Sequence, residues 1–370
     1  MVSCAIYDLG ESLGRVRRRV TFTRPQFRIE LDKDVTITPK GARIGDETFP
    51  HLNVASIQTH ASLDALTNDA RVGLSAPLAL DDVPKTVRIY LGYDHMNDLA
   101  LVYSGDLEEI VSGTSNAVVA RSHAAPAMKA RLNMTLNQKS SDEVIKKLLA
   151  DKCGIKLSGG KRKRSDVHKS RYVVPQSVTV FEYVRTLCEE ADLWAYMSQK
   201  DELVLSRHEP RPAPKPKELR KRINSGTAEQ YSHAVDPGEV VEWAFTTKGS
   251  DVDIFSVAYA EFGSDREHLL TSEFKVLKGK TKQGKHEQKD SVLLPYASKD
   301  VAEKVLKNLE ARRAKRTLGE FVILGRPEIR ICDSISVGEH KDGIVRTVTH
   351  TLDPSTGFVT EVEAEFKPQT

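Results

Sequence analysis

The sequence predicts a mainly β protein in which a small α/β module separates two β regions. Short β-prone runs, separated by glycine, proline, asparagine and aspartate, dominate the first 120 or so residues. Two amphipathic helices with capping signals follow, and strand patterns then return around one long helix. A chain of 370 residues has room for more than one domain of ordinary size.

The first β region is predicted to span residues 1–128. Its apolar runs are short and are bounded by turn-forming residues, which is the pattern of an all-β sandwich or barrel. The runs are FRIELDKDVTIT, NVASIQTHASL, ARVGLSA, TVRIYLGY and LALVYSGDLEEIV.

Residues 129–207 are predicted to form the α/β module. In its first helix, Ser140 and Glu143 have capping-box spacing and Gly154 marks the C-terminal end. The apolar residues on one face of this helix are Val144, Ile145, Leu148 and Leu149. Helices of this length are marginal alone, so we expect the apolar face to pack on a sheet.

The second helix of the module begins with the same signal, because Thr179 and Glu182 repeat the capping-box spacing. Its apolar stripe consists of Val180, Val184, Leu187, Cys188 and Ala191. The runs LWAYM and ELVLS then predict a β-hairpin. Three aromatic residues lie in apolar β-like surroundings, which favours a core or subunit contact over stacking on a base or sugar: Trp194, Tyr196 and Trp243.

Residues 208–225 are rich in proline and basic residues and are predicted to form a linker. The second β region, residues 226–370, begins with the runs EVVEWAFT, DIFSVAYAEF and EFKVLKG. One long helix, residues 298–313, interrupts it with inward positions at Val301, Val305, Leu306 and Leu309.

The C-terminal end predicts a β-hairpin with its turn at Asp353–Gly357. Apolar and acidic residues alternate along its second strand, which predicts one buried face and one acidic, solvated face. The acidic positions are Glu361, Glu363 and Glu365. A similar order of strand, glycine loop, strand, polar turn and strand closes the first β region. This order indicates a weak internal repeat of one β domain.

The sequence contains no motif typical of an enzyme. The glycines before Lys161 lack the spacing of a phosphate-binding loop, and the HExxH and GxSxG patterns are absent. Asp94, His95 and Asp98 cluster in one loop, where solvation is favoured over a metal site, and His350 is predicted to be structural. We therefore expect no catalytic, cofactor-binding or metal-binding residues.

Composition also limits the class of protein. No run of eighteen apolar residues and no secretory signal is present, so we expect neither a membrane span nor secretion by a signal peptide. The four cysteines form no CxxC pair, which is typical of a protein made in a reducing cytoplasm.

Basic charge is concentrated in three stretches. Residues 156–171 hold seven basic residues against one acidic, residues 207–222 seven against two, and residues 278–289 five against one. Solvated loops are one interpretation, and contact with an acidic partner is the other. The candidate partner contacts are Lys161, Arg162, Lys163, Arg164, Lys280, Lys282 and Lys285.

The order of these parts resembles the late control protein D family. Its members are baseplate hub proteins of tailed phages, related to hubs of contractile injection systems and to the N-terminal part of type VI secretion spike proteins. The similarity is carried by diffuse glycine, apolar and turn positions over some 280 residues. The segments are TVRIYLGYDHMNDLALVYSGDLEEI, SSDEVIKKLLADKCGI, RYVVPQSVTVFEYVRTLCEEADLWAYMSQKDELVLS, GEFVILGRPEIRICDSISV and VRTVTHTLDPSTGFVTEVEAEF.

The resemblance implies two tail-tube-like β-barrel or sandwich domains with the inserted module, and three chains in a ring that adapts a hexameric tail tube to a trimeric central spike. It implies contacts with the tail tube protein, the spike protein and other baseplate or tape-measure proteins. The protein would be a virion component at the tail baseplate or tip, assembled in the host cytoplasm, with nucleic acid only as passing cargo. We therefore predict a non-enzymatic hub. Two alternatives stay open: a cytoplasmic nucleic-acid-binding protein acting through the basic loops, and a hub with cell-wall hydrolase activity.

Overall fold

A computed structural model gives the fold of most of the chain. The residues it describes are 24–32, 34–78, 80, 83–93, 99–158, 165–213, 229–248, 254–260, 275–278, 289–313 and 316–367. The seven candidate partner contacts of the basic stretches and the Asp94–Asp98 loop lie outside the described residues. The mainly β class is confirmed, since the strands form one sheet of fifteen strands and three sheets of two, two and three strands.

The first β region contributes nine strands to the large sheet. Alternate residues are buried along several of these strands, as in β2 and β6, because successive side chains point to opposite faces. The strands are β1 (Pro25–Leu31), β2 (Val35–Thr38), β3 (Gly41–Ile44), β4 (Glu47–Phe49), β5 (Val54–Ser62), β6 (Asp69–Leu74), β7 (Thr86–Tyr93), β8 (Ala100–Val111) and β9 (Asn116–Arg121).

The α/β module consists of three helices and two antiparallel strand pairs. The pairs are β10 with β11 and β12 with β13. The elements are α1 (Ala125–Lys129), β10 (Met134–Ser140), α2 (Ser141–Lys146), a π-helical turn (Lys147–Lys152), β11 (His168–Val174), α3 (Val180–Ala191), β12 (Trp194–Met197) and β13 (Leu203–Ser206).

Local signals in the sequence define where the module's helices begin and end. The Ser140 N–H donates to the Glu143 carboxylate at 2.9 Å, and the Thr179 N–H donates to that of Glu182 at 2.7 Å, so both predicted capping boxes are present. Gly154 follows the π-helical turn with φ +72°, a conformation that glycine adopts without strain. The predicted first helix therefore has the expected ends, although its second half is π-helical.

The rest of the chain returns to strands. It contains β14 (Ser232–Val235), a 3₁₀ turn (Pro237–Glu239), β15 (Val240–Lys248), β16 (Ile254–Ala260), β17 (Lys275–Lys278), β18 (Lys289–Pro295), α4 (Lys299–Arg313), β19 (Arg316–Leu324), β20 (Ser334–Val337), β21 (His340–Asp353) and β22 (Gly357–Phe366). The predicted terminal turn is present, with Asp353 opposite Gly357 in the ladder. None of the described helices has the length and apolarity needed to cross a membrane.

The long helix α4 packs with the α/β module, whereas the sequence pattern grouped it with the second β region. Its inward residues Val301, Val305 and Leu309 share a buried core with residues of α2 and α3 and with Val257 of β16. The Asn308 side-chain amide also donates to the Glu190 main-chain carbonyl at the end of α3, at 2.8 Å. The strands β16–β18 and α4 therefore extend the module as an insertion between β15 and β19.

Eight consecutive strands of the large sheet form two units with the same topology. The first unit has the order β5–β6–β9–β8, and the second has the order β15–β19–β22–β21. In each unit the strands occur in chain order first, second, fourth, third, and all neighbours are antiparallel. The two units join where β21 pairs with β5. We call this pairing the seam.

Candidate assembly surface

The residues with unusual protonation chemistry belong to the interior. His350 is a buried residue of β21, in the terminal hairpin itself, and its Nδ1 lies 3.0 Å from the Thr360 hydroxyl of β22. Burial lowers the pKa of His350 to about 4, so the ring is neutral near pH 7. Burial likewise raises the pKa of the Cys188 thiol to about 12, which keeps this sulfur from acting as a nucleophile.

A serine, a histidine and two carboxylates meet where the β12–β13 turn contacts the end of β9. The Ser122 hydroxyl and the His123 N–H both donate to the buried Asp201 carboxylate, and His123 Nδ1 lies 3.1 Å from Asp201 and also contacts Asp106. The serine hydroxyl bonds to the carboxylate and not to the imidazole, so this cluster lacks the serine–histidine hydrogen bond of a nucleophilic serine site. Burial is the largest influence on Asp201 and raises its pKa. The cluster therefore joins the module to the first unit.

The two faces of the eight-stranded sheet differ in chemistry. One face is apolar and buried, with Phe321, Val362 and Val348 aligned across β19, β22 and β21. The opposite face is polar. It carries an open groove of about 390 Å³ whose lining includes Glu242, Glu320, Glu361, Glu363, Thr347, Thr349 and His60. The predicted alternation of the last strand is confirmed, because its acidic residues lie on this polar face.

Acidic residues are neighbours within this groove. Glu320 on β19 lies directly opposite Glu363 on β22, a like-charge pair that costs stability in a sheet. The Thr347 hydroxyl donates to the Glu363 carboxylate at 2.8 Å, and within the described part of the chain no ion pair joins Glu320 or Glu361. The groove is therefore an open, acidic part of the polar face.

One end of the eight-stranded sheet exposes apolar side chains. Strand β15 pairs only with β19 among the described strands, so its outer edge is open. Val241 and Trp243 on this strand are 59% and 68% exposed. An open edge strand with exposed apolar residues is a template for pairing with another chain, and isolated soluble domains usually avoid it. The edge of β15 is therefore the main candidate for an assembly contact.

The three aromatic residues that the sequence placed in apolar surroundings have different environments. Tyr196 is buried between the module and the second unit. Trp194 is half-buried between two guanidinium groups, with Arg312 4.3 Å and Arg346 5.1 Å from its ring. Trp243 is exposed at the sheet edge. Its position could not be predicted from the sequence, because a residue at a sheet edge and one in its centre have the same local pattern.

Comparison with known proteins gives a clear result at the level of the fold. No family model matches the sequence, and no curated protein matches it either. Among solved structures, the chain is similar to the 43 kDa tail protein of prophage MuSo2 from Shewanella oneidensis, with TM-score 0.57 and 11% identity, covering 92% of this chain and 98% of that one. It is similar to the tail protein from Neisseria meningitidis, with TM-score 0.57 and 10% identity, covering 93% and 97%.

A chain of the Francisella PdpA–VgrG complex is also similar, with TM-score 0.51 and 8% identity, covering 94% of this chain and 59% of that one. At these identities the likeness concerns the fold, and it extends over nearly the whole chain. The resemblance to proteins of phage tails and related injection machines, predicted from the order of the sequence segments, is confirmed at this level. The chain has the fold of phage tail proteins.

Proposed function

We propose that this protein is a structural, non-enzymatic hub of a phage tail or of a phage-derived injection device. Three copies form a ring that adapts the hexameric tail tube to the trimeric central spike. The ring lies at the tail baseplate or tip of the particle. The observation that carries the proposal is the eight-stranded sheet, in which two units of identical topology follow one another within one chain.

The duplicated unit explains how a threefold ring meets a sixfold tube. Three chains with two units each present six similar units around one axis, so each unit can face one subunit of a hexamer. Repeated heterologous contacts must close into a ring or continue as a fibre, and closure protects every open edge. The polar face of the sheet is continuous across both units, so a ring would carry one polar surface around its whole circumference.

The surroundings of the titratable groups support a structural role. Among the described residues there is no group of three metal-ligating side chains. Burial is the main cause of the pKa changes of Cys188 and His350, and both residues belong to the packed interior. One cavity beside Trp194 lies where the module packs against the sheet, and the open groove is lined mainly by glutamate and threonine residues.

Light scattering combined with negative-stain averages of the purified protein tests the proposal. We expect a particle near three times the chain mass of 41.2 kDa with a central hole. A compact particle without a hole at every protein concentration would contradict a ring.

The two alternative functions have separate tests. Salt-sensitive binding of DNA by the purified protein would support a nucleic-acid-binding protein that acts through the basic stretches. Degradation of purified cell wall, lost on replacing one carboxylate, would support a hydrolytic hub. The acidic face disfavours nucleic acid binding to the sheet itself, because phosphates are repelled there.

A further inference from the structure

We propose that the open edge of β15 in one copy pairs, antiparallel, with the C-terminal half of β8 in the next copy. In the register that we infer, Val111 lies opposite Thr246 and Glu109 lies opposite Lys248. This inference rests on the proposed ring, and it specifies the contact that would close it. The seam is the same contact made inside one chain.

The two four-stranded units correspond residue by residue, because their irregularities coincide. The first strand of each unit has a bulge at its start, between Val54 and Ser56 in β5 and between Val240 and Glu242 in β15. Counting from these bulges makes Ile57 equivalent to Trp243, and the ladder partners of these two residues, Val72 and Phe321, become equivalent as well.

The same count, carried across the other strands, makes the second pair of bulges coincide. These lie between Leu107 and Glu109 in β8 and between Val345 and Thr347 in β21. Bulges are specific features of a strand and not random defects, so their agreement supports a true repeat.

A glycine occupies the same position in both units. Gly105 on β8 and Gly343 on β21 each precede the bulge of their strand. A Cβ at Gly105 would collide with the Tyr103 hydroxyl, and one at Gly343 would collide with the Phe366 ring. Both strands therefore need a glycine where an aromatic side chain crosses the backbone. This agreement strengthens the weak repeat that the sequence indicated.

The seam shows which strands of the units join. It pairs the last strand of one unit, β21, with the first strand of the other, β5. The equivalent strands are β8 and β15, and both have open edges. Among the described residues, β8 pairs with β7 only up to Asp106, and beyond this residue it pairs with β9 alone. The Leu107 N–H still donates to the Lys85 carbonyl at 2.9 Å, so the segment without a described partner on its outer side is Glu108–Val111.

Strand direction permits the same contact between copies. Since the eight strands alternate in direction and their number is even, β15 and β8 run in opposite directions at the two ends. A second copy placed beside the first therefore continues the antiparallel alternation and keeps the polar faces aligned.

The register of the seam transfers directly to the contact between copies. In the seam Thr349 lies opposite His60, with 3.0 Å between the Thr349 hydroxyl and His60 Nδ1, and Thr347 lies opposite Ser62. The equivalents of these two pairs are Val111 with Thr246 and Glu109 with Lys248.

Trp243 has the exposure that this contact would explain. Its equivalent Ile57 lies beside the seam opposite Leu352 and is 0% exposed, whereas Trp243 is 68% exposed in the single chain. The inferred register brings the β8–β9 turn, near Thr114 of the next copy, to Trp243. A tryptophan that becomes buried in such a contact is a typical anchor of an interface.

Cysteine cross-linking tests the register. Chains carrying Val111→Cys are mixed with chains carrying Thr246→Cys under mild oxidation, and we expect covalent dimers that reducing agent removes. The matched control replaces Ala244 instead of Thr246, since Ala244 is exposed on the same strand but displaced by two residues. Neither single variant alone, nor the unmodified chain with its native cysteines, should give the product.

Paired charge substitutions provide a second test that does not depend on disulfide geometry. Val111→Asp should weaken self-association, and adding Thr246→Lys should recover part of it, whereas adding Thr246→Asp should not. Trp243→Ala should raise the dissociation constant by about 30-fold or more. Leu293→Ala is the control, because Leu293 is an exposed apolar residue on β18, and it should leave the dissociation constant unchanged.

The mass of the same samples separates this inference from the proposed function. A trimer that cross-links only at the Val111–Thr246 pair supports both. A trimer without this cross-link overturns the inferred contact and leaves the ring intact. A closed ring of another size with the cross-link supports the contact and refutes the threefold hub. A monomer that never cross-links overturns both.

Discussion

Lys169 on β11 and Glu190 on α3 form an ion pair inside the extended α/β core. The Lys169 ammonium lies 2.6 Å from the Glu190 carboxylate, and the two side chains are 8% and 5% exposed. The ammonium also lies 5.4 Å from the centre of the Tyr172 ring. Because Asn308 of α4 bonds to the main chain of Glu190, the pair lies where β11, α3 and α4 meet.

Replacing Glu190 with glutamine should destabilise the module strongly. The substitution leaves the Lys169 ammonium buried without a counter-charge, and such losses amount to about 3–5 kcal/mol. Replacing both residues, as Lys169→Met with Glu190→Leu, removes the buried charges together, and the expected change is close to zero or a gain. The exposed pair Lys147–Asp151 is the control, since Asp151→Asn should cost at most about 0.5 kcal/mol.

Urea unfolding measures these effects, with Trp194 fluorescence reporting on the module in a Trp243→Phe background. The background chain and the three variants are compared by their midpoints at equal slope. A loss below about 1 kcal/mol for Glu190→Gln would refute the assignment of a desolvated pair. So would a double variant that loses as much as Glu190→Gln.

Three further predictions concern other sites. The pKa of His350 is about 4 in the folded state and near 6.5 when unfolded, so the unfolded state binds the proton more tightly. The free energy of unfolding should therefore fall by up to about 3 kcal/mol as the pH drops from 6.5 to 4. In urea titrations, the difference in stability between wild type and His350→Gln should narrow over the same pH range. Glu320→Gln should stabilise the sheet by about 0.2–1 kcal/mol, because it removes the repulsion from Glu363; a thermal scan that shows a loss would contradict this. Thr179→Ala should cost about 1 kcal/mol by removing the cap of α3, with Thr186→Ser on the exposed face of the same helix as control.

Much of the local structure could be predicted from the sequence. The capping boxes at Ser140 and Thr179, the buried stripe of α3 and the alternation of β22 all depend on residues within a few positions of one another. Interactions at spacings of two, three and four residues leave a pattern that one chain displays. The order of these parts was also sufficient to indicate the fold of phage tail proteins, because order survives when identity falls to about one residue in ten.

The packing of α4 with the α/β module shows that such local patterns do not predict which part of the chain a helix packs against. The apolar residues Val301, Val305 and Leu309 predict a buried face equally well against either β region. The insertion between β15 and β19 is recognisable only when the strands on both sides of it are seen to pair.

The sequence alone indicated most of the longer elements, the starts of the capped helices and the alternation of the last strand, since these follow from short-range geometry and from the apolar or polar nature of each residue. The tertiary structure decided which strands are neighbours. His60 and Thr349 touch across the seam although 289 positions separate them, and no local pattern encodes that contact. The same long-range pairing left β15 and the end of β8 without partners. The exposure of Trp243, and with it the candidate assembly surface, is therefore a property of the fold.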